Sequence, residues 1–166
     1  MKFKKLPTWE YIVYSAIILG GIFIDQLTKY LSTTYLMPKG SVPIIEGVLH
    51  LTYVKNPGAA FGMLADSRWV FMTLSSVAII GMLYVIFSGT VPLKRFSISL
   101  AIVTAGGIGN MFDRIALGYV VDFIDFCLID FAVFNVADSL VCIGAGILIL
   151  ALVLDIKKEL KENKGK

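Results

Sequence analysis

The 166 residues are 57% hydrophobic, with a mean hydropathy of +0.82 and a net charge of only +3, values that exclude an ordinary soluble domain. Ten of the fifteen Lys and Arg fall in three places: Met1–Lys5, Lys94–Arg95 and the tail after Asp155. No basic face remains of the kind that binds nucleic acid, so no nucleic-acid partner is expected. With one histidine and two cysteines there is no His/Cys metal cluster, and neither metal nor other cofactor is expected. Cys127 and Cys142 read as buried apolar side chains rather than ligands or nucleophiles.

The first apolar stretch, about 11–31, follows Lys2, Lys4 and Lys5 and imitates a secretory signal peptide. It is too long for one and has no small-residue cleavage site after it, so it is expected to be a retained membrane helix. Asp25 and Lys29 lie four apart on its face and can pair, either as a simple ion pair with Lys29 reaching the interface or as part of a binding site.

The next segment, about 32–68, carries turn signals at Pro38-Lys39-Gly40, Glu46-Gly47 and Asn56-Pro57-Gly58. Its runs Val42–Ile45 and Val48–Val54 are rich in β-branched and aromatic residues, which predicts a small extracytoplasmic β-element. His50, the lone histidine, is expected to be an exposed or half-packed strand residue. Asn56 through Gly62 is too small and turn-prone for a core; it reads either as a β-turn with an Asx bond or as a loop that lies along an extended peptide.

Three more stretches of spanning length follow, about 69–87, 96–115 and 136–156. Four crossings put the three basic clusters on one side, and the positive-inside rule then places both termini in the cytoplasm. The fold class expected is an all-α membrane protein with four transmembrane helices and a β-rich segment between the first two, a single polytopic domain over 1–166. Trp9, Tyr11 and Trp69 stand where an aromatic belt would lie. Gly106 through Gly109 resembles a phosphate loop, but it sits within an apolar span with no Lys-Ser/Thr after it, and its glycines are expected to permit close helix packing.

Depth decides where chemistry gathers. At 1.5 Å per residue, Asp25 lies about 21 Å into helix one, and Asn110 lies at the same depth in helix three. Asp113 and Arg114 follow within a turn, and the last helix carries Asn135 and Asp138 at its outer end. An ionisable residue at membrane depth costs roughly 2.5–3.5 kcal/mol on insertion scales, so this convergence marks a site. Asp122, in the apolar setting Tyr119–Ile124, should have a raised pKa, whereas the helix start favours the anion of Asp138. Such contrast suits a water-activating aspartyl pair. Asp66, Asp125 and Asp130 are expected to be solvated or interfacial. The rival is a small transporter or channel subunit, with the same acids as an ion path, but such a path should continue through the nearly uncharged cytoplasmic halves.

The blocks Asp25-Gln26-Leu27-Thr28-Lys29, Asn56 through Phe61, Gly106 through Arg114, Val120 through Phe123 and Phe134 through Ser139, in this order, resemble bacterial lipoprotein signal peptidase (signal peptidase II). The resemblance implies an aspartic endopeptidase of the bacterial cytoplasmic membrane, with Asp122 and Asp138 as its dyad near the extracytoplasmic face. Its substrate would be a diacylglyceryl-modified prolipoprotein, cut just before the lipidated cysteine, and globomycin would inhibit it. Asp25, Lys29, Asn56, Gly58, Asn110, Asp113, Arg114 and Asn135 would bind substrate or support the site. Membrane lipids are the other expected partners, and a monomer is expected.

Overall fold

The computed structural model describes residues 6–58, 68–90, 94–129 and 131–164. Lys2, Lys4, Lys5, Asp66, Asp130 and the Ala59–Gly62 part of the turn motif lie outside them. The elements are α1 (Thr8–Leu31), which continues as a π-helical turn through Leu36, then β1 (Ser41–Ile45) and β2 (Leu49–Asn56). After these come α2 (Arg68–Ser88), α3 (Lys94–Ala116), β3 (Val120–Asp125) and α4 (Val136–Lys164).

Helix α1 shows how a membrane helix inverts the usual pattern. Its inward stripe is Glu10, Tyr14, Ile18, Asp25 and Lys29, spaced by one or more helical turns, and all five are buried. Its outward face is apolar: Leu19, Phe23 and Tyr30 are each about two-thirds exposed, 66–67%. A surface of that kind is stable against lipid and not against water. Helix α3 packs against α1, α2 and α4. The α3–α4 approach is so close that a Cβ at Gly106 would run into the Ala137 carbonyl, and the α3–α1 approach so close that one at Gly109 would stand 2.5 Å from Asp25 Oδ2. The glycines of this motif therefore serve helix packing, as expected from the sequence.

One end of the bundle is clamped by charge. Glu10 pairs with Lys94 at 3.2 Å, and Arg95 with Asp155 at 3.0 Å. Glu10 also accepts the Tyr14 hydroxyl at 3.3 Å, and the Lys94 ammonium lies 4.1 Å from the Trp9 ring centroid. The beginnings of α1 and α3 thus stand at one level, beside the lower part of α4. This end is less purely apolar than the hydropathy pattern suggested, because the buried Glu10 belongs to it.

At the other end lies a three-stranded antiparallel sheet of order β1-β2-β3. The two strands between α1 and α2 match the expected runs, although helical structure extends five residues past Leu31 before they begin. The third strand departs from the expectation of a β-element confined to that segment. Val120–Phe123 is buried throughout, so it lacks the alternation that marks a half-exposed strand. Gly118, at φ 88°, makes the turn from α3 into it. Beyond it, Phe134 exchanges backbone hydrogen bonds with Ile124 at 2.8 and 3.0 Å and delivers the chain to α4.

Among the described residues, three helices are long and apolar enough to cross a membrane: Thr8–Leu36, Lys94–Ala116 and Val136–Asn163. In α2 the described apolar stretch is shorter, Met72–Ser88. Helix α4 runs 29 residues, about 43 Å, and so outlasts a hydrocarbon core of about 30 Å. The basic tail is consequently helical as far as Lys164.

Candidate active site

Asp138 owes its position to the way α4 begins. Asn135 is the N-cap: its Oδ1 accepts the Asp138 N–H at 3.0 Å, and Asp138 Oδ2 accepts the Asn135 N–H at 3.2 Å. This reciprocal capping box satisfies two of the amides that a helix start leaves open, and it fixes the Asp138 carboxylate at the positive end of the helix. Asn110, on α3, donates to Asp138 Oδ1 at 2.7 Å.

Asp122 reaches the same place from β3 and is 1% exposed. Asn135 Nδ2 donates to its Oδ1 at 2.6 Å, and Asn56 Nδ2, at the end of β2, donates to its Oδ2 at 2.9 Å. Asn56 Oδ1 accepts the Gly58 N–H at 3.0 Å, which makes the Asx turn. Arg114 spans to this turn, donating to the Gly58 carbonyl at 3.0 Å and to the Asn110 carbonyl at 3.2 Å.

Asp122, Asp138, Asn56, Asn110 and Arg114 line one cavity of about 500 Å³. Apart from Ser139, its remaining wall is apolar, including Phe131, Val133, Phe134, Val141 and Ile143. Burial pushes Asp122 up to about 6; the Asn56 and Asn135 hydrogen bonds oppose this, and the nearby Asp138 charge reinforces it. The cavity therefore holds one carboxyl whose charge is disfavoured beside another that sits on a helix start.

The remaining candidates lie behind this wall. Lys29 is 3% exposed and contacts Asp25 at 2.9 Å, Asp113 at 3.0 Å and Asn110 Oδ1 at 2.8 Å. It is not snorkelling to the interface. Gln26, within the first motif but given no role from sequence, donates to Asp25 at 3.1 Å and Asp113 at 3.0 Å. The signal for it was available, since Gln26 precedes Lys29 by three residues on the same helix.

Asp125 is half-buried on β3, where it accepts the Thr52 hydroxyl at 2.7 Å and pairs in register with the half-buried His50. The cysteines correct an expectation. Cys142 is exposed and lines the cavity, because an apolar thiol on a membrane helix gains nothing from protein burial, and Cys127 is half-buried in the short turn after β3.

Residues 17–154 match the family model of signal peptidase (SPase) II. The chain belongs to the signal peptidase II family. It is 43% identical over 150 residues to the lipoprotein signal peptidase of Brevibacillus brevis, covering 90% of this chain and 98% of that one. It is 37% identical to the lipoprotein signal peptidase of Bacillus subtilis, covering 92% and 100%. The fold of this signal peptidase II family member also matches a solved bacterial membrane enzyme, determined by the in meso method at 2.3 Å resolution. There the TM-score is 0.81 at 31% identity, covering 95% of this chain and 96% of the other. Family membership and the apolar helices together make this a multi-pass membrane protein.

Proposed function

We propose that this member of the signal peptidase II family removes signal peptides from diacylglyceryl-modified prolipoproteins, cutting just before the lipidated cysteine, by aspartic catalysis at Asp122 and Asp138. The observation that carries the reading is the pair of carboxyls on one cavity in opposed environments. Asp138, held by the helix start and by Asn110, is the ionised base; Asp122, buried, keeps the proton.

In the first step water attacks the scissile carbonyl carbon and gives a proton to Asp138, while Asp122 donates its own to the carbonyl oxygen. The tetrahedral diol collapses as Asp138 returns its proton to the departing nitrogen and Asp122 recovers one from the diol hydroxyl. Both carboxyls end as they began. Asn56 and Arg114 steady the substrate backbone and the developing charge at the rim. The apolar wall suits acyl chains arriving sideways from the bilayer.

The proposed topology has four crossings. Glu10 and Lys94 pair across the bundle, so the chain must return from the level of the sheet to that of Lys94, and α2 is the segment available to do so. Both termini then face the cytoplasm, with the sheet and the cavity at the outer face of the bacterial cytoplasmic membrane. The enzyme works as a monomer among membrane lipids.

The test is cleavage of a diacylglyceryl-modified prolipoprotein by the purified protein, wild type beside Asp122→Asn and Asp138→Asn. Cleavage before the lipidated cysteine that vanishes in both folded variants is expected. Cleavage that survives in either one overturns the dyad, and none by folded wild type overturns the function.

A further inference from the structure

Behind the cavity, one buried ammonium is wired symmetrically to both aspartates. Lys29 Nζ has three protons and three acceptors within 3.0 Å: Asp25 Oδ2, Asp113 Oδ2 and Asn110 Oδ1. Asp25, through its other oxygen, accepts the Ala137 N–H at 2.9 Å, the amide immediately before Asp138. Asp113 accepts the Val121 N–H at 3.1 Å, the amide immediately before Asp122. The third acceptor, Asn110, donates directly to Asp138. Gln26 closes the arrangement by donating to both supporting carboxylates.

Each carboxylate thus grips one backbone amide next to one aspartate of the dyad, and Lys29 holds the two carboxylates together. We propose that Lys29 is a positioning residue that sets the separation and aim of Asp122 and Asp138, and that it makes no contact with substrate. The proposal rests on the dyad reading above. Three observations argue against substrate contact: 3% exposure, a full set of acceptors, and a place outside the cavity lining. Two carboxylates alone at this spacing would repel, and neither could then present a fixed oxygen to its amide. The start of α4 is joined to α1, and β3 to α3, by these backbone hydrogen bonds, so loosening the hub moves the two aspartates independently. A displacement on the order of 1 Å is enough to cost about a hundredfold in rate.

The experiment compares wild type with Lys29→Met, purified as the full chain, in prolipoprotein cleavage from pH 5 to 9 with a thermal melt of each. The expected result is a fall in kcat of about a hundredfold with KM within about threefold of wild type. The pH above which kcat/KM declines should also rise. Burial raises the Asp122 pKa and the Lys29 charge opposes it; without that charge Asp138, Arg114 and the unpaired Asp25 and Asp113 carboxylates remain around the dyad. A purely structural lysine would lower the melting temperature without moving the pH profile of the folded fraction.

Wild-type kcat in folded Lys29→Met overturns the proposal, as does a raised KM at unchanged kcat. If Lys29→Met fails to fold, Asp113→Asn and Asp113→Ala decide. Asn keeps an oxygen for the Val121 amide and should exceed Ala in kcat at least tenfold at equal KM; equal kcat overturns the proposal. Asp122→Asn and Asp138→Asn are assayed alongside. Their inactivity beside a fully active Lys29→Met removes only the positioning role, whereas their activity removes the dyad.

Discussion

The side-chain amide of Asn135 donates to Asp122 Oδ1 across 2.6 Å, while the same residue caps the helix that carries Asp138. One asparagine therefore ties the strand-borne aspartate to the helix-borne one. Without it, the Asp122 carboxyl loses that donor while keeping the one from Asn56, and α4 loses its cap. Asn135→Ala should lower kcat by about a hundredfold, on the scale of a lost oriented donor in an active site. It should also cost about 1 kcal/mol of stability through the missing cap. Steady-state cleavage and a chemical denaturation curve check the two effects separately.

Asp122→Asn should abolish cleavage and yet resist unfolding better than wild type above pH 6. The sign follows from its raised pKa, about 6 in the fold. The folded state holds that proton more tightly than the unfolded chain does. Its contribution is therefore full below pH 4, fades as pH rises through about 6, and is lost above that. Asparagine never becomes charged, so its advantage at pH 8 should be roughly 1–3 kcal/mol and should vanish near pH 4. Melting temperatures of the two proteins at pH 4, 6 and 8 test this; a variant less stable at pH 8 contradicts it.

In the free enzyme the same carboxyl should limit activity. If Asp122 must hold a proton, kcat/KM declines with unit slope above about pH 6. Substrate that fills the apolar cavity excludes water further, so the corresponding decline in kcat should lie at higher pH. A full pH profile with saturating and subsaturating prolipoprotein separates the two. Coincident limbs would show that substrate does not alter the surroundings of Asp122.

Two helix glycines should respond oppositely to alanine. At Gly109 the added Cβ would stand 2.5 Å from Asp25 Oδ2 and 3.4 Å from Ala137 Cβ, against the support of the dyad. Gly109→Ala should destabilise by about 1–3 kcal/mol and depress kcat. At Gly20 nothing lies within 4 Å, and Gly20→Ala should leave cleavage intact with equal or higher stability. Thermal melts in the same detergent, with cleavage rates, compare them.

Arg114→Lys should weaken substrate binding more than chemistry. The guanidinium reaches the Gly58 carbonyl and the Asn110 carbonyl from two different nitrogens. A lysine ammonium cannot span that pair, so the Asn56–Gly58 turn loses its anchor. KM should rise about tenfold with kcat reduced less; steady-state kinetics on lipidated substrate decide it.

Much of this molecule is written locally along the chain. Runs of apolar residues about as long as a bilayer is thick mark α1, α3 and α4, and helical rise alone brings Asp25 to the depth of Asn110. The cost of polar groups at that depth flags Asp25, Lys29, Asn110, Asp113 and Arg114, because few other pressures would keep them there. What tertiary structure decided is how they are joined. The Asp25–Ala137 hydrogen bond links residues 112 apart, and neither periodicity nor hydropathy carries information over that separation. Val120–Phe123 hid as a strand because burial on all sides erases the alternation by which strands are recognised. Cys142 was misjudged for a related reason: in a bilayer, apolar residues face outward as readily as inward, so hydrophobicity places a residue in the membrane without saying which way it points. That direction, and with it the cavity between Asp122 and Asp138, is set only when the helices and the sheet pack together.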